Sequence, residues 1–66
     1  MKVTEIREKD TKELRSLLKE LREELFRLRI QHYTGQLEKV STLGATRKAI
    51  ARVSTVIRER ETAEVA

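Results

Sequence analysis

The fold is decided by residues 13–28, which read ELRSLLKELREELFRL. Leucines recur in this stretch at steps of three and four, and they are Leu14, Leu17, Leu18, Leu21, Leu25 and Leu28. At about 100° per residue, these side chains fall within about 100° of arc, which is the apolar stripe of an amphipathic helix. A half-buried strand would alternate with a period of two, so the pattern predicts a helix.

This helix has signals at both of its ends. Asp10 or Thr11 can act as the N-cap, and Asp10 with Glu13 resembles a capping box. Gly35 is suited to the left-handed backbone conformation that often follows a helix. The sequence therefore predicts a helix over residues 11–34, and the apolar stripe continues to His32, which we interpret as a histidine at the edge of the core.

A second helix is predicted over residues 41–61, after a short turn. Its stripe is thinner, and its members are Leu43, Thr46, Ile50, Val53 and Ile57. Residues 1–9 are expected to form a short helix whose Val3 and Ile6 pack against the two long helices. Residues 62–66 are expected to form a disordered tail. Two amphipathic helices joined by a short turn bury their apolar stripes against each other when they pack antiparallel. The expected fold is an all-α antiparallel two-helix hairpin with long arms and a short N-terminal helix, in one domain over residues 1–66.

The composition argues against several classes of protein. The 66 residues include no cysteine and a single histidine, so we expect no disulfide, no metal site and no cofactor. No stretch approaches the roughly 20 apolar residues of a membrane-spanning helix, and the charged N-terminus lacks a signal-peptide core. Isolated glycines and the absence of a positioned nucleophile and base argue against an enzyme or a small-molecule substrate. We therefore expect a cytoplasmic protein, without membrane contact, that a partner stabilises.

Charge is distributed unevenly along the chain. Residues 1–24 carry seven basic and seven acidic side chains, whereas residues 25–58 carry seven basic side chains and one acidic side chain. The net charge of the chain is +4. Because the positive excess lies in the turn and beside it, that end of the hairpin is predicted to meet a polyanion such as RNA.

Candidate RNA contacts follow from this distribution. Cations neutralise phosphates, and glutamine and threonine side chains can hydrogen-bond the nucleic-acid backbone or the bases. The residues predicted to bind RNA are Lys2, Arg29, Gln31, Gln36, Arg47, Lys48, Arg52, Thr55 and Arg58. The basic flank of the first helix, which includes Lys12, Arg15 and Lys19, is interpreted instead as a solvated face.

Phe26, Ile30 and Tyr33 form a second apolar patch, away from the leucine stripe and on the basic flank of the first helix. A two-helix hairpin cannot bury both faces of that helix. In one interpretation the N-terminal helix covers the patch, or Phe26 is simply half exposed. In the other, the patch contacts RNA bases or a partner protein. We assign the three residues as predicted protein contacts and leave the other interpretations open.

Several blocks of sequence, in this order, carry a resemblance to a known family. They are EIR at 5–7, REELFRLR at 22–29, TGQLE at 34–38 and RKAIARV at 47–53, with Thr55 and RER at 58–60. Together they resemble the family of bacterial large-subunit ribosomal protein twenty-nine, over residues 1 to about 60. The chain departs from the family pattern at residues 39–40, where an Asn-Pro-like pair is frequent, and at Thr42, Gly44 and Ala49.

The resemblance implies a structural constituent of the large ribosomal subunit that binds ribosomal RNA near the nascent-chain exit. It also implies a neighbouring exit-rim protein, number twenty-three, as a partner. From the residues alone, the alternative is a helical protein–protein adaptor or a dimeric coiled coil, whose binding would be insensitive to salt. A basic amphipathic helix on a membrane is a weaker alternative, because the leucine stripe is needed within the hairpin.

Overall fold

The computed structural model describes residues 2–65, with the side chains of residues 2–63. Within this range the chain forms helices α1 (Val3–Glu8), α2 (Thr11–Tyr33) and α3 (Ser41–Val65), and it contains no strand. Helices α2 and α3 pack against each other along their length as an antiparallel hairpin, and α1 packs against α3. The expected all-α hairpin with a short N-terminal helix is confirmed.

Local signals set both ends of α2. The carboxylate of Asp10 accepts a hydrogen bond from the backbone amide of Glu13 at 2.8 Å, so Asp10 is the N-cap. After Tyr33, Gly35 has a φ of 76°, and the amide of Gln36 donates to the carbonyl of Gln31 at 2.8 Å. This left-handed glycine turns the chain out of the helix axis and ends α2 one residue before the predicted boundary.

The core lies where α1, α2 and α3 meet. Its buried cluster consists of Ile6, Leu14, Val53, Val56 and Ile57, with Leu17, Leu18 and Leu21 packed against it. Leu28 and Leu43 are buried further along the hairpin, towards the turn. The leucine stripe of α2 therefore faces α3, as its period predicts.

Three predictions about the core are wrong. His32 is exposed, because the helices are separated by an open concavity beside the turn. Val3 is 42% exposed, and only Ile6 of α1 reaches the core. Val56, which the predicted stripe of α3 omitted, is buried at 3% exposure, because the arrival of α1 widens the arc of α3 that is covered.

Helix α3 extends beyond its predicted end. It starts at Ser41, as expected, but continues to Val65, so residues 62–65 are helical and do not form the expected tail. No glycine or proline follows Gly44, and the hydroxyl of Thr62 donates to the carbonyl of Arg58 at 2.9 Å. Residue 66 lies outside the described range.

The terminal end of the hairpin, where α1, the start of α2 and the last turns of α3 meet, is tied by polar contacts. Arg7 pairs with Glu59 at 3.1 Å, and Arg15 pairs with Glu61 at 3.3 Å. The guanidinium of Arg60 donates to the backbone carbonyl of Arg7 at 2.8 Å. These contacts join all three helices at this end.

Candidate nucleic-acid interface

An open concavity lies at the turn end of the hairpin, between the last turns of α2 and the first turns of α3. It brings together Arg29 of α2 and Arg47 of α3, two of the residues predicted to bind RNA. Its lining is completed by His32, Tyr33, Val40, Ser41, Leu43 and Gly44. Two guanidinium groups from different helices therefore border one opening, and no acidic residue lines it.

A second, adjoining concavity lies on the outer face of α3. It is lined by Ser41, Gly44, Ala45, Lys48, Ala49 and Arg52. Lys48 and Arg52 are four residues apart and face the same side of the helix, as the sequence predicts. Ser41 and Gly44 line both concavities, so the two openings meet across the start of α3. Arg29, Arg47, Lys48 and Arg52 are called the basic surface below.

Among the described residues, ion pairs within the protein engage two arginines of the terminal end but neither of the arginines that border the open concavity. At the terminal end, Arg7 and Arg15 are paired with glutamates of α3. On the basic surface, Arg29, Arg47 and Lys48 form no ion pair with any residue that the structure describes. Their charges are exposed and uncompensated, so a polyanion can approach them without breaking an existing salt bridge.

The remaining predicted RNA contacts are more scattered. Gln31 is half-buried, whereas Gln36 is exposed in the turn next to the basic surface. Thr55 is exposed, and its hydroxyl donates to the carbonyl of Ala51 at 2.8 Å, which leaves its oxygen free to accept. Arg58 lies six residues beyond Arg52, which is about 9 Å along α3 and about 120° around it, so the two side chains face different sides of the helix. The structure therefore does not bring Arg58 to the basic surface.

Lys2 is also separate from the basic surface. It precedes α1, whose Ile6 packs among Val53, Val56 and Ile57 in the C-terminal half of α3. A contact between Lys2 and RNA therefore needs an RNA segment other than the one that covers the basic surface.

The second apolar patch is exposed. Phe26 is 67% exposed and Tyr33 is 90% exposed, with Ile30 between them on the helix surface. Because α1 packs against α3, the interpretation in which the N-terminal helix covers this patch is wrong. The patch is also divided: Tyr33 lines the concavity with Arg29, whereas Phe26 and Ile30 do not.

Sequence reasoning missed two features of this arrangement. The first is the position of Tyr33 beside the two arginines, although its spacing of four residues from Arg29 is visible in the sequence. The second is Arg60, which ties α3 to Arg7 and to Thr11. Contacts across about 50 residues leave no local pattern, so no signal in the sequence predicts the second feature.

Comparison with known families identifies the chain. The sequence model of the family described as Ribosomal L29 protein matches residues 4–60, which include all of α1 but its first residue, all of α2, the turn and most of α3. The chain belongs to this family. Proteins of the L29 family are structural constituents of the large ribosomal subunit, so this chain is a protein of the cytoplasmic ribosome.

Individual relatives agree with the L29 family match. Proteins called large ribosomal subunit protein uL29 from Bacillus cytotoxicus, Bacillus cereus and Bacillus anthracis are each 54% identical to the chain over 61 residues. The aligned region covers 92% of this chain and 92% of each relative. The similarity therefore spans nearly the whole hairpin, including the basic surface.

Two further observations concern only the part of the chain that the structure describes. None of its helices combines the length and the apolar character that a membrane crossing needs. Its histidine and carboxylate side chains form no group of three or more that could hold a metal ion.

Proposed function

We propose that this member of the L29 family binds ribosomal RNA through its basic surface, near the nascent-chain exit of the large subunit. The observation that carries the proposal is the convergence of unpaired cations from two helices on the concavities at the turn end. Arg29 comes from α2, and Arg47 and Lys48 come from the first turns of α3. Membership of a ribosomal protein family makes RNA the polyanion that fits best.

The proposed mechanism is passive. Lysine and arginine neutralise phosphates, and each neutralised phosphate releases counterions into solution. The packed core of the hairpin holds the cations at a constant spacing, and the contacts of Arg7, Arg15 and Arg60 join the helices at the opposite end. Gln36 and Thr55 are placed to add hydrogen bonds to sugar or phosphate oxygens. No step of covalent chemistry is assigned to the protein, and we infer that it is not an enzyme.

We further propose that Phe26 and Ile30 contact the neighbouring exit-rim protein, number twenty-three. Both side chains are exposed on α2, and they lie outside the concavity that Arg29 and Arg47 border. Exposed apolar side chains that are grouped on one helix face are typical of protein contacts. RNA at the turn end and a protein on the outer face of α2 can therefore be bound together.

The second candidate function is a helical adaptor or dimer that binds protein only. The same exposed patch of Phe26, Ile30 and Tyr33 favours it, because two copies of such a face could cover each other. This candidate does not use the unpaired cations. Its binding would be apolar and therefore nearly independent of salt concentration.

Titration of the full chain against a fragment of large-subunit ribosomal RNA, across a series of salt concentrations, separates the two functions. We expect a saturable complex that outcompetes bulk tRNA and whose affinity falls steeply as salt rises. Binding that is indifferent to salt and to RNA identity, or no binding at all, would instead favour the adaptor. Sedimentation of the free chain would then show whether it dimerises.

A further inference from the structure

Tyr33 is placed unusually for an aromatic side chain. It is 90% exposed on the last turn of α2, although the chain has only one other aromatic residue and a small core. A side chain so exposed contributes little to the burial of apolar surface. The ring is therefore available to a ligand on the side that faces the concavity.

Two cations border the same concavity. Arg29 lies one helical turn before Tyr33 on α2, and Arg47 faces it from α3. Neither guanidinium group forms an ion pair with a described residue, and the lining contains no carboxylate. Guanidinium groups bind phosphate through two parallel hydrogen bonds, so both are suited to a phosphodiester.

The α3 side of the concavity leaves space for a flat group. Gly44 has no side chain, and a Cβ placed there would meet nothing within 4 Å. Val40 is 58% exposed and supplies an apolar edge. The concavity thus combines an aromatic face, an open wall and two phosphate-binding groups.

From this combination we propose that the concavity takes one unpaired nucleotide of an RNA bulge or loop. The base stacks on the ring of Tyr33, and the phosphates on either side of that nucleotide engage Arg29 and Arg47. A base within a duplex cannot present its face to a side chain, whereas an unstacked base can. This inference rests on the proposed RNA-binding function and deepens it, because it names the RNA element that the turn end recognises.

The test uses the full chain and three RNA hairpins that share one stem sequence and differ only at the bulge. One has a fully paired stem, one has a single-nucleotide bulge, and one has an abasic residue at the bulge. Anisotropy titrations at fixed salt should give a preference of roughly tenfold for the bulged stem over the paired stem. The abasic bulge should bind like the paired stem, because it offers phosphates without a base.

Variants at position 33 separate stacking from charge. Tyr33→Leu should abolish the preference for the bulge while it leaves affinity for the paired stem and its salt dependence unchanged. Tyr33→Phe, which keeps the ring, should retain the preference. Because the side chain is so exposed, both variants should melt at the temperature of the parent chain, and circular dichroism checks this.

Several results would overturn the inference. They are a preference that survives Tyr33→Leu, an abasic bulge that binds as well as the intact one, and equal binding of bulged and paired stems. Equal binding with a steep salt dependence would leave the proposed function standing while the inference fails. Failure to bind any of the RNAs would overturn both. If the parent chain shows no preference for the bulge but binds a polyglutamate peptide in a way that depends on Tyr33, the concavity belongs to an acidic protein segment instead.

Discussion

Arg15 of α2 and Glu61 of α3 lie 3.3 Å apart, from Nη2 to Oε1, although 46 residues separate them in the sequence. The pair joins the start of one long helix to the end of the other, as their antiparallel arrangement allows. It also removes Arg15 from the set of unpaired cations. The sequence places this arginine on a basic flank of α2, and the structure gives the residue a partner within the protein.

The Arg15–Glu61 pair should contribute little to stability. Both side chains are more than half exposed, with exposures of 59% and 53%, and exposed ion pairs contribute about 0–1 kcal/mol. We expect Arg15→Gln to lower the free energy of unfolding by less than about 1 kcal/mol. Urea denaturation measures this change, and a loss of several kcal/mol would show that the pair organises the fold.

Substitution of Ile6 should lower the free energy of unfolding much more than substitution of Arg15. Ile6 is fully buried against α3, and replacement of a buried isoleucine by alanine costs about 2–5 kcal/mol. Since a chain of this size has about 3–5 kcal/mol of stability from its core, Ile6→Ala should unfold a large fraction of the free protein. Val3→Ala in the same helix is the matched control, because Val3 is exposed and should tolerate the change. Thermal melts followed by circular dichroism compare the two variants, and similar melting temperatures would argue against docking of α1 through Ile6.

The N-cap of α2 can be tested by a pair of substitutions at one position. Asp10→Ala removes the acceptor of the amide of Glu13 and should cost about 1 kcal/mol. Asp10→Ser keeps an acceptor oxygen and should recover most of that loss. If serine and alanine gave the same free energy of unfolding, the hydrogen bond at 2.8 Å would not be what stabilises the start of α2.

Replacement of the two glycines by alanine should change the free energy of unfolding in opposite directions. Gly35 has a φ of 76°, so Gly35→Ala forces an L residue into the left-handed region and should destabilise the turn by about 1 kcal/mol. Gly44 lies within α3, and a Cβ added there would meet nothing within 4 Å, so Gly44→Ala should stabilise the helix by about 0.5–1 kcal/mol. Chemical denaturation of both variants under the same conditions gives the comparison. A gain in stability at residue 35 would contradict the assigned turn conformation.

The salt dependence of RNA binding should depend on where the cations lie and not only on how many there are. Arg47→Gln combined with Lys48→Gln should reduce the slope of log affinity against log salt by about 1–2. Lys12→Gln combined with Lys19→Gln removes the same charge from the flank of α2 and should change the slope much less. Titrations of the two double variants against the same RNA fragment make this test. Equal reductions would mean that net charge alone governs binding.

The sequence predicts the main helices well because their signals are local. The period of the leucines, the capping aspartate at residue 10 and the glycine at residue 35 each act within a few residues, and the structure bears them out. The exposure of His32, the burial of Val56 and the contacts of Arg60 depend on how the three helices meet. No local pattern encodes these features, so they required the structure.

The candidate site was predictable in part for the same reason. The clustering of basic residues around the turn is a property of sequence order, so Arg47 and Lys48 could be selected without a structure. The concavity that Arg29 and Arg47 both line depends on how α2 and α3 pack together, so the sequence alone could not predict it. The packing of the two helices also decides that Tyr33 lines this concavity while Phe26 and Ile30 lie outside it.

The excess of basic residues near the turn, against the balance of charges in residues 1–24, gives the molecule an electrical polarity along its length. The hairpin is 46 Å long and 18 Å wide, so its ends are separated by several Debye lengths, each about 8 Å at physiological ionic strength. A polyanion close to one end therefore senses the charges of that end alone. Attraction at the turn end and near-neutrality at the terminal end exert a torque on an approaching molecule, which aligns it before contact and raises the fraction of productive collisions.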